Sequence, residues 1–347
     1  MNLPFSTPLA DRQRGISLVE IMVSLVAGLI LTAGVYEIYI SNKQTYRVNE
    51  AMATIQENAR FALELMSRDI RMAGYVGCYD EVPITNTLDY SNTTQDFLLD
   101  FDTPIEGFEA VSNTAWDRTL DANIVTPGGN APEGGTDVLV IRRADEISTP
   151  ITGQPNNRGD CSKAAQHTAN LKVASTAGLS AGDIVFATNC SHASIFQITN
   201  INTGNNLVHQ TGSHIPGNHT TDLGACYAGT GELTKISSRI YFVGRTPDNR
   251  LALYRREGLN PAEVLVDGVT DFQVLYGLDT DGDGSVNLEV TADYDGNGDG
   301  SPDYAWNKVV SIRVSLTLAS RDNVSVISAN PISKDFVTVV GIRNRLP

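Results

Sequence analysis

Acidic side chains alternate with glycine in one stretch of the chain, from Asp279 to Asp303. Eight carboxylates occur there, with no lysine or arginine among them. Ca²⁺ takes about six to eight oxygen ligands from a tightly turned backbone. Closely spaced carboxylates repel one another unless a cation lies between them. The pattern therefore predicts a structural, non-catalytic calcium site, with candidate ligands Asp279, Asp281, Asp283, Ser285, Asp293, Asp295, Asn297, Asp299 and Asp303.

Neither acidic loop is a complete EF-hand. The first loop opens as D-x-D-x-D-G at Asp279 but has Val290 at the twelfth place, where an EF-hand has a bidentate glutamate. The second loop can begin at Asp293 or at Asp295, and no helical pattern flanks either loop. The spacing resembles the shorter calcium loops of dockerins and thrombospondin repeats. The alternative is a solvated, glycine-rich acidic hairpin that binds no ion.

A second group of chemically informative residues lies near the N-terminus. Arg12 and Arg14 precede an apolar run from Ile16 to Tyr36, which is close to the ~20 residues that a helix needs to cross a bilayer. The flanking arginines favour a cytoplasmic N-terminus and place the rest of the chain outside. Glu20 is the single charge in this run. A charged group inside a membrane helix costs roughly 2.5–3.5 kcal/mol, so Glu20 is expected to have a partner.

The stretch Gly15-Ile16-Ser17-Leu18-Val19-Glu20 resembles the processing site of type IV prepilins. The resemblance implies cleavage between Gly15 and Ile16 by a prepilin peptidase and N-methylation of Ile16. It also implies pairing of the new amine with Glu20 of a neighbouring subunit. A secretory signal peptide is disfavoured because no A-x-A site follows the apolar run, and a plain membrane anchor leaves Glu20 without a role.

The helix is predicted to continue beyond the apolar run. Apolar residues recur there at spacings of three and four: Met52, Ile55, Ala59, Ala62, Leu63, Met66 and Ile70. No proline occurs between Pro8 and Pro83, so one helix of about 80 Å is expected from Ile16 to about Met72. The closing stretch Arg68–Cys78, RDIRMAGYVGC, resembles the end of the long helix in PilW-type minor pilins of type IV pilus systems. Weaker similarity lies in residues 182–197 and 343–345.

Beyond Cys78 the pattern becomes strand-like. Short runs rich in β-branched and aromatic residues predict strands at Val138–Arg142, Asp183–Ala187, Ile195–Thr199, Ile240–Val243, Leu251–Arg255, Asp271–Tyr276, Val309–Leu318 and Phe336–Ile342. A turn at residues 246–249 predicts a hairpin. No βαβ alternation occurs, so the expected head is an antiparallel sheet packed against the helix. The polar stretches Thr85–Glu133 and Pro150–Lys163 are expected to be long surface loops.

The cysteines are predicted to form disulfide bonds rather than a metal site. None stands in a C-x-x-C pair, which argues against zinc although five histidines are scattered through the same region. A head outside the cytoplasm lies in an oxidising compartment, where disulfides persist. The candidates are Cys78, Cys161, Cys190 and Cys226, and all three pairings remain open.

The sequence argues against an enzyme. One G-x-S-x-G occurs, from Gly178 to Gly182, but a strand-like run follows at once, where a nucleophile elbow needs a helix. A glycine turn between two strands is the favoured interpretation. No H-E-x-x-H motif is present. A membrane-anchored hydrolase is therefore the disfavoured alternative. A net charge of -15 argues against nucleic acid as the main partner.

These observations predict an α+β, pilin-like protein. The expected parts are a leader (1–15), a transmembrane or filament-core helix (16–40), its amphipathic half (41–74) and an extracytoplasmic β-rich head (75–347). The resemblance implies a minor pilin that helps to initiate or cap a type IV pilus with other minor pilins and the major pilin. The resemblance also implies that the protein is held in the inner membrane, with its head in the periplasm, before extraction into the pilus. A tip adhesin carried by the head is a further expected partner. The alternatives are a pseudopilin of a type II secretion or DNA-uptake system and, in another class, a calcium-dependent adhesive head.

Overall fold

One long helix, α1, spans Leu18–Arg71. The computed structural model describes residues 15–75, 82–92, 96–101, 103–125, 131–154, 169–212, 214–258, 260–299, 301–323 and 331–343. The prediction of one unbroken helix is confirmed, except that α1 begins two residues after Ile16. Ser17 is its N-cap, because the Ser17 side chain accepts a hydrogen bond from the backbone N–H of Glu20 at 3.2 Å. The 54 residues of α1 measure about 80 Å at ~1.5 Å per residue.

The chain turns away from α1 at Gly74, three residues after the helix ends. Gly74 has a φ of 66°, in the left-handed region that favours glycine. A Cβ at this position would lie 2.9 Å from Cγ of Pro104. The backbone N–H of Gly74 donates to the carbonyl of Arg142 at 3.1 Å. The chain therefore leaves the helix in a tight turn against the head.

The rest of the described chain is a β-rich head with two short helices, α2 (Asp96–Leu99) and α3 (Ala122–Val125). Its strands are β1 (Ile84–Asn86), β2 (Ile105–Phe108), β3 (Val138–Gly153), β4 (Asn170–Val173), β5 (Ile184–Thr188), β6 (Ala193–Gln197), β7 (Asn200–Asn202), β8 (Asn206–Val208), β9 (Glu232–Arg245), β10 (Leu251–Glu257), β11 (Glu263–Asp267), β12 (Val269–Leu278), β13 (Leu288–Val290), β14 (Val309–Ala319) and β15 (Ser333–Gly341). Every strand that the sequence predicts is present, and the predicted hairpin joins β9 to β10.

The described head contains two sheets, whereas the sequence predicts one antiparallel sheet. The larger has the order β1-β6-β5-β9-β3-β4-β8-β7, with β2 on β3, β10 on β9 and β11 on β10. The smaller has the order β13-β12-β14-β15 and is antiparallel throughout. In the larger sheet β1 and β6 run parallel. A parallel pair needs a long connection between its strands, which local residue patterns do not reveal.

Three clusters of buried apolar side chains hold the head together. The first joins α1 to the small sheet and to β2, β3, β9 and β10. The other two lie within the large sheet and beneath α2 and α3. The prediction that residues 85–133 form only surface loops is wrong, because Leu98, Phe108 and Ile124 are buried in the second cluster. Their isolated apolar side chains stand among polar residues, so the composition of the segment hides them.

Candidate functional site

The residues around the predicted cleavage point stand at the open end of α1. Gly15, Ile16 and Ser17 are exposed. Apart from its chain neighbours, no heavy atom of the described residues lies within 4 Å of the place where a Cβ on Gly15 would be. Residues 1–14 of the predicted leader lie outside the described part of the chain. The bond between Gly15 and Ile16 is therefore accessible without any movement of the head.

The carboxylate of Glu20 closes the first turn of α1. The backbone N–H of Glu20 donates to Oγ of Ser17 at 3.2 Å, and the backbone N–H of Ser17 points to Oε2 of Glu20 at 3.5 Å. This reciprocal pair is a capping box, and it places the negative charge at the positive end of the helix dipole. The carboxylate thus lies beside Ile16, the residue whose amine cleavage would expose.

The first half of α1 is an uncovered apolar surface. Residues 15–43 are all exposed, with Leu18 and Leu31 at 74 and 71 %. The hydroxyls of Ser24 and Thr32 donate back to carbonyls one turn earlier, at 2.7 and 2.8 Å. They therefore need no partner outside the helix. By length and composition this part of α1 could cross a membrane.

The second half of α1 is built into the head. One stripe of its side chains is buried: Ile55, Ala59, Ala62, Met66 and Ile70. The helix packs against β15, β14, β11 and β3, and small alanines in the stripe let its backbone approach the sheet. This half of the helix therefore has one buried stripe, whereas the first half is exposed all round.

A buried ionic cluster fastens the end of α1 to the large sheet. Asp69 is fully buried and accepts a hydrogen bond from Nη1 of Arg239 at 2.7 Å and one from the hydroxyl of Tyr241. Nε of Arg143 lies 3.0 Å from the same carboxylate. Asp145, on the rim, lies 3.4 Å from Arg239 and 3.8 Å from Arg143. We call these five side chains the Asp69 cluster.

The charges of the Asp69 cluster depend on one another because most of the cluster is buried. Burial lowers the pKa of the Arg143 guanidinium, whereas Asp69 opposes that shift. Burial, together with the Asp69 charge, raises the pKa of Tyr241 well above its ordinary value, so its hydroxyl stays a donor. Sequence reasoning missed this role. The sequence signal for it is Asp69 itself, a charged residue that lies three places after Met66 within the apolar stripe.

The first acidic loop brings three of the predicted calcium ligands together. Carboxylate oxygens of Asp279, Asp281 and Asp283 all lie within 4.8 Å of one another. The two oxygens of Asp279 accept from the backbone N–H groups of Gly282 and Gly284, at 2.6 and 2.8 Å. The hydrogen bond from Gly284 is the main cause that lowers the pKa of Asp279. Ser285 donates its backbone N–H to Asp283 at 2.7 Å.

The second acidic loop closes mainly on itself. Asp295 accepts the backbone N–H of Gly298 at 2.6 Å. Asp303 accepts the N–H of Gly296 at 2.8 Å and the side chain of Asn297 at 2.9 Å. Asp299 accepts the N–H of Ser301 and Asp293 accepts the hydroxyl of Thr291. Among the described residues, these predicted ligands do not form a second group of three carboxylates around one point.

The remaining sequence motifs belong neither to the start of α1 nor to the acidic loops. Cys190 and Cys226 are disulfide-bonded, while Cys78 and Cys161 lie outside the described residues, so the pairing stays a prediction. His209 is buried against Phe196, with ring centres 4.9 Å apart. The G-x-S-x-G of residues 178–182 forms the predicted glycine turn between β4 and β5.

Comparison with known proteins finds two families, at opposite parts of the chain. Residues 240–341 match the family described as Type IV Pilus-assembly protein W, PilW. Residues 11–36 match the prokaryotic N-terminal methylation motif. No curated protein and no solved structure matches the chain. The PilW match covers the end of β9 and all strands from β10 to β15, not the helix end that carried the resemblance in the sequence. The chain is thus similar to PilW-type proteins in its head and to proteins with a prepilin methylation motif at its N-terminus.

Proposed function

We propose that this chain is a minor pilin of a type IV pilus, processed at Gly15 and assembled through α1. The observation that carries the proposal is the division of α1 into an uncovered apolar half and a half that is part of the head. Before assembly, the uncovered half would lie in the inner membrane with the head in the periplasm. After extraction it would pack against the helices of other pilins in the filament core.

Assembly requires a signal that distinguishes a processed subunit from an unprocessed one, and Glu20 is suited to that role. A carboxylate in an apolar filament core needs a cationic partner. The amine of processed Ile16, on a neighbouring subunit, supplies one. In the unprocessed chain the capping box with Ser17 satisfies the carboxylate in its place. Glu20 would thus select neighbours that carry a free N-terminus and set their axial position.

The N-terminal mass of the protein recovered from membranes tests this proposal. We expect a species that begins with N-methylated Ile16. A bulky side chain at Gly15, as in Gly15→Val, should block cleavage without disturbing the fold, because the glycine has open space around it. Gly28→Ala is a matched control, since Gly28 also has no neighbour within 4 Å. An intact Met1 in the wild-type protein, or a cut beyond Tyr36, would refute the proposal.

A place in the pilus, rather than in a type II secretion or DNA-uptake system, is supported by the PilW match at residues 240–341. Both kinds of machine use the same N-terminal chemistry, so the head must discriminate between them. Sheared pili provide the assay. We expect the processed chain in the pilus fraction, in small amounts relative to the major pilin and together with other minor pilins.

We also propose a structural Ca²⁺ in the first acidic loop, held by Asp279, Asp281 and Asp283 with Ser285 beside them. The three carboxylates lie within 4.8 Å of one another, and the loop backbone already turns around Asp279. Hard oxygen donors at this density suit calcium. The ion would order the connection between β12 and β13, at the rim of the small sheet. No catalytic role is proposed for it.

A further inference from the structure

Strand β15 forms one edge of the small sheet. Among the described strands it pairs with β14 alone. That pairing runs from Ser311 opposite Gly341 to Ala319 opposite Ser333 without a register shift. An edge strand presents a row of N–H and C=O groups that another strand can bind. On β15 such a row consists of the backbone groups that do not bond to β14.

The hydrogen bonds at the two ends of this pairing show which backbone groups point outward. Ile342 donates its N–H to the carbonyl of Val310 at 2.9 Å, and Ser320 donates to the carbonyl of Ile332 at 2.8 Å. Hydrogen-bonded residues alternate along an antiparallel strand. The even-numbered residues of β15 therefore bond to β14. The odd-numbered residues direct their N–H and C=O groups to the free edge: Asp335, Val337, Val339 and Gly341.

The free edge lacks the features that usually protect an edge strand. Residues 336–341 include no charged residue and no proline, and the strand has no bulge. Val337 and Val339 project from the outer face and are 55 and 51 % exposed. Lys334 and Asp335 occupy only the beginning of the strand, where Asp335 accepts the hydroxyl of Thr317 at 2.8 Å. The edge is thus suited to an extended, uncharged segment with apolar residues at alternate positions.

We propose that the free edge of β15 pairs, backbone to backbone, with a strand from the head of a different pilin-type subunit of the same filament. This inference rests on the proposed function. A filament holds neighbouring subunits with their N-terminal helices side by side. Because α1 packs on β15 itself, this edge adjoins the helix through which the chain would contact its neighbours. The edge is therefore continuous with the helix contact of the filament.

The direction of α1 excludes a second copy joined through the same edge. Two copies meeting through β15 in a symmetric pair form an antiparallel ladder around a two-fold axis perpendicular to the sheet. Helix α1 packs on that sheet and so runs parallel to its plane. The two-fold axis would therefore reverse α1 in the partner. Two helices that start in the same membrane cannot point in opposite directions, so β15 does not pair with β15 of a second copy, and the strand is assigned to another kind of subunit.

A photo-crosslinking residue at Val337 identifies the occupant. It is introduced into the full-length chain in piliated cells, with the same residue at Glu263, on β11, as a control position. We expect a cross-link from position 337 to another subunit of the pilus, and none from position 263. A cross-link from 337 to a second copy of this chain would overturn the choice of occupant. Absence of any cross-link from 337 would overturn the proposal.

Proline at Val339 tests the backbone pairing itself. Val339→Pro removes an N–H that points to the free edge and leaves the bonds to β14 in place. Val339→Thr keeps both the N–H and the branched shape, and serves as the control. The loss of one interface hydrogen bond corresponds to about a tenfold lower recovery in sheared pili. Normal cleavage at Gly15 and unchanged thermal unfolding would show that the proline variant is processed and folded.

The outcomes separate this inference from the function on which it rests. Equal recovery of Val339→Pro and wild type in pili, with both processed, would overturn the inference and leave the proposed function intact. A wild-type chain that is neither processed nor found in pili would overturn both. Val337→Lys is the alternative test if the proline variant is unstable. It places a charge on the outer face and leaves the backbone of β15 unchanged, and it should also lower the recovery of the chain in sheared pili.

Discussion

The Asp69 cluster makes the strongest quantitative prediction about the fold. Asp69→Ala removes the only fully buried carboxylate of the cluster, and it leaves the guanidinium groups of Arg143 and Arg239 facing an empty space. The hydroxyl of Tyr241 also loses its acceptor. The substitution lies on α1, whereas the orphaned groups lie on β3 and β9. Its effect therefore measures how strongly the helix is fastened to the large sheet.

The expected cost follows from the geometry. Removing one partner of a buried ion pair costs roughly 3–5 kcal/mol, because the remaining charge is left uncompensated. Asp145 stays within 3.4 Å of Arg239 and 3.8 Å of Arg143, so part of the charge remains balanced. We therefore expect the lower end, about 3 kcal/mol. For a head of this size that corresponds to a fall in melting temperature of about 6–12 °C.

Denaturant unfolding of the full chain in detergent measures this cost. Both tryptophans, Trp116 and Trp306, lie in the head and report on its unfolding by fluorescence. Arg68→Ala is the matched control, because it removes an exposed ion pair on the same helix. The Arg68 side chain is 58 % exposed and its partner Glu146 is 61 % exposed. An exposed pair contributes about 0–1 kcal/mol. If Asp69→Ala costs no more than Arg68→Ala, the cluster does not fasten the helix and the reasoning is wrong.

Three further predictions concern charge. Burial raises the pKa of the Asp137 carboxyl group to about 6. The folded head therefore binds a proton at Asp137 more tightly than the unfolded chain, and it loses stability as pH rises from about 4 to 6. Asp137→Asn should reduce that loss, which chemical unfolding across this pH range measures. Millimolar Ca²⁺ should raise the melting temperature of the wild-type chain relative to chelator, but not that of Asp279→Ala, and an equal rise in both would remove the first acidic loop as the site. Glu20→Gln should still insert into membranes but assemble poorly, whereas Glu37→Gln should assemble normally; full piliation with Glu20→Gln would contradict the pairing with Ile16.

Much of the architecture can be predicted from the sequence because it depends on local patterns. The apolar spacing and the absence of proline determine α1, and its observed limits differ from the prediction by about two residues. Alternating apolar residues located strands such as β14, and a turn sequence located the hairpin of β9 and β10. The motif around Gly15 could be recognised because it is a short contiguous segment; cleavage there stays a prediction.

Other features depend on contacts between distant parts of the chain. Asp69 meets Arg239 and Tyr241 across 170 and 172 residues, and no local pattern encodes such a contact. Residues 85–133 are mostly polar, so their composition does not predict that Leu98, Phe108 and Ile124 are buried. These side chains are buried because they pack against residues of the large sheet. The second sheet and the parallel pairing of β1 with β6 are likewise decided by how strands from separate segments meet.

The sequence by itself determined that this protein has a long helix, an N-terminal methylation motif, a β-rich head and an acidic loop. Periodicity, glycine, proline and charge spacing act within a few residues, so they can be interpreted along the chain. The tertiary structure alone decided which charge is buried, which predicted calcium ligands come together and which strand is left with a free edge. Burial and strand pairing are properties of the whole packed chain, and the free edge of β15 exists only because no other described strand pairs with it.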